Sequence, residues 1–286
     1  SDPRVHQLVT MTQRNELLRP GRVVRLGAAL AAAAAMVGCT DVTTAPRSEV
    51  TAENVFSDLN AYRAAAAKLY GSLAVSGQTQ GASDVAGIDP GYGQYLRVWW
   101  NLQQLPTDEA IIAWDDVSAG VQPLNRQTWD AGNPSISAMY ARILLQARFV
   151  ANFLSETSDG TLNARGVPQS ARADIQRFRA EARFLRALSY WHGIDMFGKM
   201  PLITEDVPQG PTTPPESDRA TLFNYVVSEL QAIRSALPAP NRADPTQYGR
   251  ANQAAVDMLL AKVYLNAATY GVPARADSAL AAAQRV

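Results

Sequence analysis

Cysteine is all but absent: Cys39 stands alone in 286 residues, so no internal disulfide framework can form. Histidine is nearly as scarce, with only His6 and His192. Neither sign of charge is in excess, 26 basic residues against 26 acidic. That balance argues against nucleic-acid binding as the main task, because phosphate recognition normally needs a clustered basic surplus. Long apolar runs are missing too. The best stretch, residues 26–37 (LGAALAAAAAMV), would rise only about 18 Å as a helix against a bilayer core of about 30 Å, which excludes a permanent membrane span there. The usual catalytic signatures, H-E-x-x-H, G-x-S-x-G and G-x-x-x-x-G-K-[ST], do not occur, and Gly91, Tyr92 and Gly93 lack the third glycine of a dinucleotide loop. The acids lack the D-x-D-x-D-G ladder of a calcium loop, so no metal site and no cofactor are expected.

What is present is enough chain, 47% of it hydrophobic, for one large domain or two small ones. The most informative stretch is residues 177–201, RFRAEARFLRALSYWHGIDMFGKMP. Phe178, Ala182, Leu185, Ser189, His192 and Met196 follow at steps of four and three, broadened by Phe184, Leu188 and Trp191, which predicts one long amphipathic helix. Arg177, Arg179, Arg183 and Arg186 occupy much of its remaining surface, Gly198 and Pro201 stop it, and residues 202–205 read as a short extended exit. His192 on this helix is read as a packed histidine in preference to a catalytic base.

Three blocks in series then become recognisable: AEARFLRALSYWHGIDMFGKMPLIT, FNYVVSELQAIRSALP and GRANQAAVDMLLAKVYLNAATYG. Their order and spacing over residues 177–271 resemble the SusD/RagB family of outer-membrane nutrient-binding lipoproteins. The resemblance implies an all-α scaffold of stacked, tetratricopeptide-like helix pairs with long irregular loops. A single pair cannot bury its apolar face, so several must stack to make a core. It also implies a surface receptor that captures oligosaccharides or peptides and acts as a lid over a SusC-like TonB-dependent transporter. The family normally continues beyond residue 286 for a comparable length, so the carboxy-terminal half of such a fold is expected to be missing.

The amino-terminal residues are expected to lie outside the fold. Arg14, Arg19, Arg22 and Arg25 precede the apolar run, and Gly38 and Cys39 follow it, the order of an export signal. Met36–Val37–Gly38–Cys39 resembles a bacterial lipobox, with Met36 where leucine is commoner, and lipidation of Cys39 is the expected membrane attachment. Two or more acyl chains anchor stably where one is marginal. Residues 1–10 precede Met11, the more natural start of such a signal, and read as an over-extended reading frame. The expected organisation is therefore an upstream extension and signal at 1–38, a polar tether at 39–50 and a helical nutrient-binding domain at 51–286.

Within that domain, helices are predicted over 54–75, 135–154, 219–237 and 251–270, with a glycine-rich loop at 77–93, a polar loop at 155–169 and a proline-rich connection at 205–218. Gln169 and Ser170 could cap the central helix. In the last helix, Ala254, Met258, Ala261, Leu265 and Ala268 form the stripe expected to receive a neighbour, and Ala279, Leu280 and Ala283 form the second arm of the pair.

The chemically suggestive segment is 91–129, which holds four of the five tryptophans. Tyr95, Trp99, Trp100, Trp114 and Trp129 supply flat apolar faces, and Asn101, Asp108 and Glu109 supply planar polar groups. A sugar site needs both, because pyranose rings show C–H faces beside hydroxyls. These eight residues are the candidate ligand contacts. Trp99 and Trp100, if extended, would point to opposite faces. The segment LPTDEAIIAW at 105–114 resembles one that lies near the family's ligand-facing surface. Asp108, Glu109, Asp115 and Asp116 leave a glycoside hydrolase open as a minor reading. A protein-binding tetratricopeptide adaptor is the main alternative to a surface receptor, and the receptor reading makes the chain a binder and not an enzyme.

Overall fold

The computed structural model describes residues 55–286 other than 57, 78, 80, 115, 116, 209, 211 and 212. The expected export signal, Cys39 and the tether lie outside the described residues, as do Asp115 and Asp116. The described chain is helical, with α1 Leu59–Ala74, α2 Tyr95–Gln104, α3 Val121–Asn125, α4 Pro134–Glu156, α5 Asp159–Ala164, α6 Gln169–Met196, α7 Arg219–Ile233, α8 Gln253–Leu265 and α9 Ala276–Ala283. The sheet consists of β1, Met200–Pro201, paired antiparallel with β2, Glu216–Ser217. No helix of the described residues is long and apolar enough to cross a membrane.

The all-α scaffold is organised around α6, on which α1, α4 and α7 pack. Phe178, Ala182, Leu185, Ser189 and His192 are all buried, as their spacing predicts. The helix begins earlier than expected, after Pro168, whose extended backbone leads into Gln169 with no side-chain cap, so the anticipated Gln169–Ser170 cap is not used. Gly198 ends it at φ +80°, a left-handed conformation that glycine adopts without a Cβ penalty, and donates its N–H to the Gly193 carbonyl at 3.0 Å.

Because α6 is covered from several sides, its arginines do not simply face solvent. Arg186 is 2% exposed, donating from Nη1 to Glu205 at 2.7 Å and from Nη2 to Glu229 at 3.3 Å. Arg183 donates to the same Glu229, at 2.7 and 3.0 Å. Arg179 reaches across to α4, donating to the Leu154 carbonyl and the Thr157 hydroxyl. Glu181, also buried, accepts from Tyr70 of α1 at 2.8 Å and from Arg250, and the Tyr70 hydroxyl in turn accepts from the Ala251 N–H at 3.0 Å. These bonds tie the helices of the scaffold to one another.

Three expectations need correction. The stretch 155–169 is not wholly loop: Ser158 accepts from the Thr161 N–H, and Asp159 sits in the first turn, a capping pattern sufficient for α5. In α8 the inward residues are Val256, Leu259, Leu260 and Val263, so the stripe of Ala254, Met258, Ala261, Leu265 and Ala268 faces largely outward, with Leu265 73% exposed. An apolar composition on both sides of α8 made the face ambiguous to periodicity alone. Likewise α9 packs on α8 through Ala279 and Ala282, and Leu280 and Ala283 are exposed.

Candidate functional site

The segment 91–129 begins with α2, and helical geometry separates its aromatic residues. Tyr95, Val98, Asn101 and Leu105 recur at steps of three and four and are buried. Trp99 and Trp100 are about 100° apart around a helix, not on opposite faces of a strand as an extended reading had it. Trp99 is half-buried and Trp100 is 47% exposed.

Behind α2 lies His192 of α6. Its ring is flanked by Trp99 at 5.1 Å and Trp191 at 4.9 Å, and its Nδ1 shares a 2.9 Å hydrogen bond with the Tyr95 hydroxyl. Burial, followed by the Lys262 charge, pushes the His192 pKa down to about 3, so the ring is neutral at physiological pH. A buried imidazole held by three aromatic neighbours fixes α2 against α6. Tyr95, Trp99 and His192 are thus brought together as packing. Tyr95 and Asn101, two of the sequence-flagged residues, are covered and offer no open ring face or amide to a ligand at this surface.

The loop that follows is held by amide side chains. Asn125 donates to the carbonyls of Leu105 at 2.9 Å and Ala110 at 3.2 Å, Gln127 donates to Pro106 at 2.7 Å, and Gln122 donates to Trp114 at 3.1 Å. Gln127 does so from a left-handed backbone, φ +54°. These amides satisfy main-chain carbonyls that a helix or strand would otherwise pair. Their structural role was not visible in the sequence.

On this pinned loop Asp108 and Glu109 are exposed, Trp114 is 56% exposed, and Trp129 farther along is 43% exposed. The sequence-flagged set therefore divides. Tyr95, Trp99 and Asn101 belong to the packed layer, whereas Trp100, Asp108, Glu109, Trp114 and Trp129 present rings and carboxylates to solvent. Broad exposed indoles beside carboxylates can stack on the C–H face of a ring and accept from its hydroxyls. Among the described residues no three or more His, Cys, Asp or Glu side chains gather as a metal site would require.

The described residues form a helical scaffold around α6 that carries an irregular segment with exposed tryptophans. Comparison with known proteins makes this specific. No family model matches the chain. The chain is 33% identical over 208 residues to the starch-binding protein SusD of Bacteroides thetaiotaomicron, covering 71% of this chain and 34% of that protein. It is 30% identical over 127 residues to the SusD-like protein P25 of Formosa agariphila, covering 43% of this chain and 22% of that one. Among solved structures, a laminarin-binding SusD-like protein superposes with a TM-score of 0.56 at 21% identity, over 78% of this chain and 42% of its own. The chain belongs to the SusD/RagB family, and it spans about a third of the length of SusD.

Proposed function

We propose that this chain is part of a cell-surface nutrient receptor that binds an oligosaccharide on the 95–129 surface without transforming it. The observation that carries the reading is the exposure of Trp100, Trp114 and Trp129, and of Asp108 and Glu109, on one segment whose backbone is fixed by Asn125, Gln122 and Gln127. A preorganised loop loses little entropy on binding. Relatives described as starch-binding and laminarin-binding support a glycan over a peptide. In the full reading, Cys39 carries the lipid that holds the protein at the outer membrane, and the bound glycan is passed to a SusC-like TonB-dependent transporter. Moderate, reversible affinity suits such a handover.

The test is affinity electrophoresis through gels containing starch or laminarin, with Trp100→Ala, Trp114→Ala and Trp129→Ala compared with the parent. Retardation that disappears with any of the three supports the reading. Release of reducing ends, or retardation indifferent to all three, overturns it. For the anchor, intact mass and membrane fractionation of the protein made from its complete gene should show an acylated Cys39 that is lost in Cys39→Ala.

A further inference from the structure

An open cleft of about 830 Å³ is lined by no residue of 95–129, and its volume is within the size range of small-molecule sites. Its walls converge from distant parts of the chain: Tyr140 of α4, Phe197 and Lys199 after α6, Glu216 and Arg219 flanking the start of α7, and Tyr270 after α8. Tyr140 and Phe197 meet edge to face, 5.2 Å apart at 89°. Tyr270 is fixed through its hydroxyl, which donates to Asp195 at 2.8 Å and accepts from the Trp191 indole at 3.2 Å.

The charged groups in this cleft are unequally engaged. Asp218 is committed to capping α7, accepting from the Thr221 N–H at 2.7 Å. Burial, followed by the Glu216 charge, raises the Tyr140 pKa, which places the carboxylate near that hydroxyl. The two cations are freer. Among the described residues neither Lys199 nor Arg219 forms an ion pair, although the Lys199 charge is felt at Asp218. Arg219 makes one long hydrogen bond, from Nη1 to the Thr269 carbonyl at 3.4 Å. Its guanidinium rests on Gly198, where a Cβ would stand 2.8 Å from Nη2 and 3.0 Å from Nε. The positive φ favours glycine there, and without a Cβ the guanidinium lies close over it with most of its donors unspent.

A guanidinium fork with unspent donors matches a carboxylate in two parallel hydrogen bonds. The four charges of the cleft cancel, so no net field concentrates simple anions, and a ligand must gain from the aromatic walls as well. We propose that this cleft binds an acidic saccharide, a hexuronate whose carboxylate pairs with Arg219 and Lys199 while its ring packs on Tyr140 and Phe197. The site uses none of the residues of the 95–129 surface, and only the choice of a saccharide as the acid rests on the glycan reading above.

The test is calorimetric titration of the whole chain with a galacturonic acid trimer, its methyl ester and sodium acetate. The trimer should bind the parent and Trp114→Ala alike, whereas Arg219→Gln should weaken it by about tenfold or more, the worth of a charge-assisted pair. Lys199→Gln should weaken it less, and the ester and acetate should bind poorly. Both side chains are exposed, so neither variant removes a buried contact. No binding of the trimer by the parent overturns the proposal, as does equal binding by Arg219→Gln or by the methyl ester. Loss of trimer binding in Trp114→Ala with Arg219→Gln unaffected also overturns it, and assigns the acid to the other surface.

Discussion

Around α6, charged and aromatic groups face one another: Arg186 between Glu205 and Glu229, Glu181 beneath Tyr70 and Arg250, His192 among Tyr95, Trp99 and Trp191. At 100–129, the same residue types face solvent, and the side-chain bonds go to the backbone of the loop that carries them. The difference lies in where side-chain hydrogen-bonding capacity is used. In the scaffold it joins helices; in the loop it holds the main chain in place and leaves Trp100, Trp114 and Trp129 unspent.

The sharpest way to break this contrast is to empty the scaffold side. Arg186→Ala leaves Glu205 without its guanidinium and Glu229 with Arg183 alone, and should lower stability, by about 1.5–3 kcal/mol as for hydrogen bonds to charged groups. Urea unfolding would measure it, and a loss below about 1 kcal/mol would count against the interior account. The next effect is a pH dependence. With His192 held neutral down to about pH 3 in the fold and titrating near its ordinary value of about 6.5 when unfolded, its contribution to stability is complete above that value. The unfolded chain binds the extra proton below it. Stability should therefore fall with pH between about 6.5 and 3, by about 1.4 kcal/mol per pH unit from this group. Carboxylates add their own slope, so the comparison is between the parent and His192→Asn over the same range. A slope unchanged by the substitution would remove His192 from the explanation.

A smaller, local effect is expected in the loop. Asn125→Ala frees the Leu105 and Ala110 carbonyls, costing about 1–3 kcal/mol if they stay buried. Hydrogen exchange should quicken across residues 105–114, with little change in the protection of α6. Smallest of all, Trp114→Ala should shift the global midpoint by no more than about 0.5 kcal/mol, the usual range for an exposed substitution. A large destabilisation there would mean that Trp114 belongs to the packed layer after all.

The helical scaffold was largely legible, because the spacing from Phe178 to His192 corresponds to residues that are in fact buried. Periodicity failed where both sides of a helix are apolar, as in α8, and where a charge is buried by distant partners. Arg186 pairs with Glu205 and Glu229, 19 and 43 residues further on, and nothing local announces that. The site was legible by composition and not by arrangement. Four tryptophans and several acids marked residues 91–129, but only the helical rotation of α2 separates Trp100 from Trp99, and only the position of α6 explains why Tyr95 is covered. Asn125, Gln122 and Gln127 carried no signal, since amides that hold a loop look in sequence like amides that meet a ligand.

The Tyr70 hydroxyl bears on how the molecule assembles. Its bond to the Ala251 N–H joins residues 181 positions apart, and its bond to Glu181 spans 111. Closing loops of that length costs entropy before any contact repays it. The latch is thus expected to close late, after α4, α6 and α7 have met. Tyr70→Phe should accordingly hasten unfolding several-fold while leaving the refolding rate nearly unchanged, the signature of an interaction formed after the transition state.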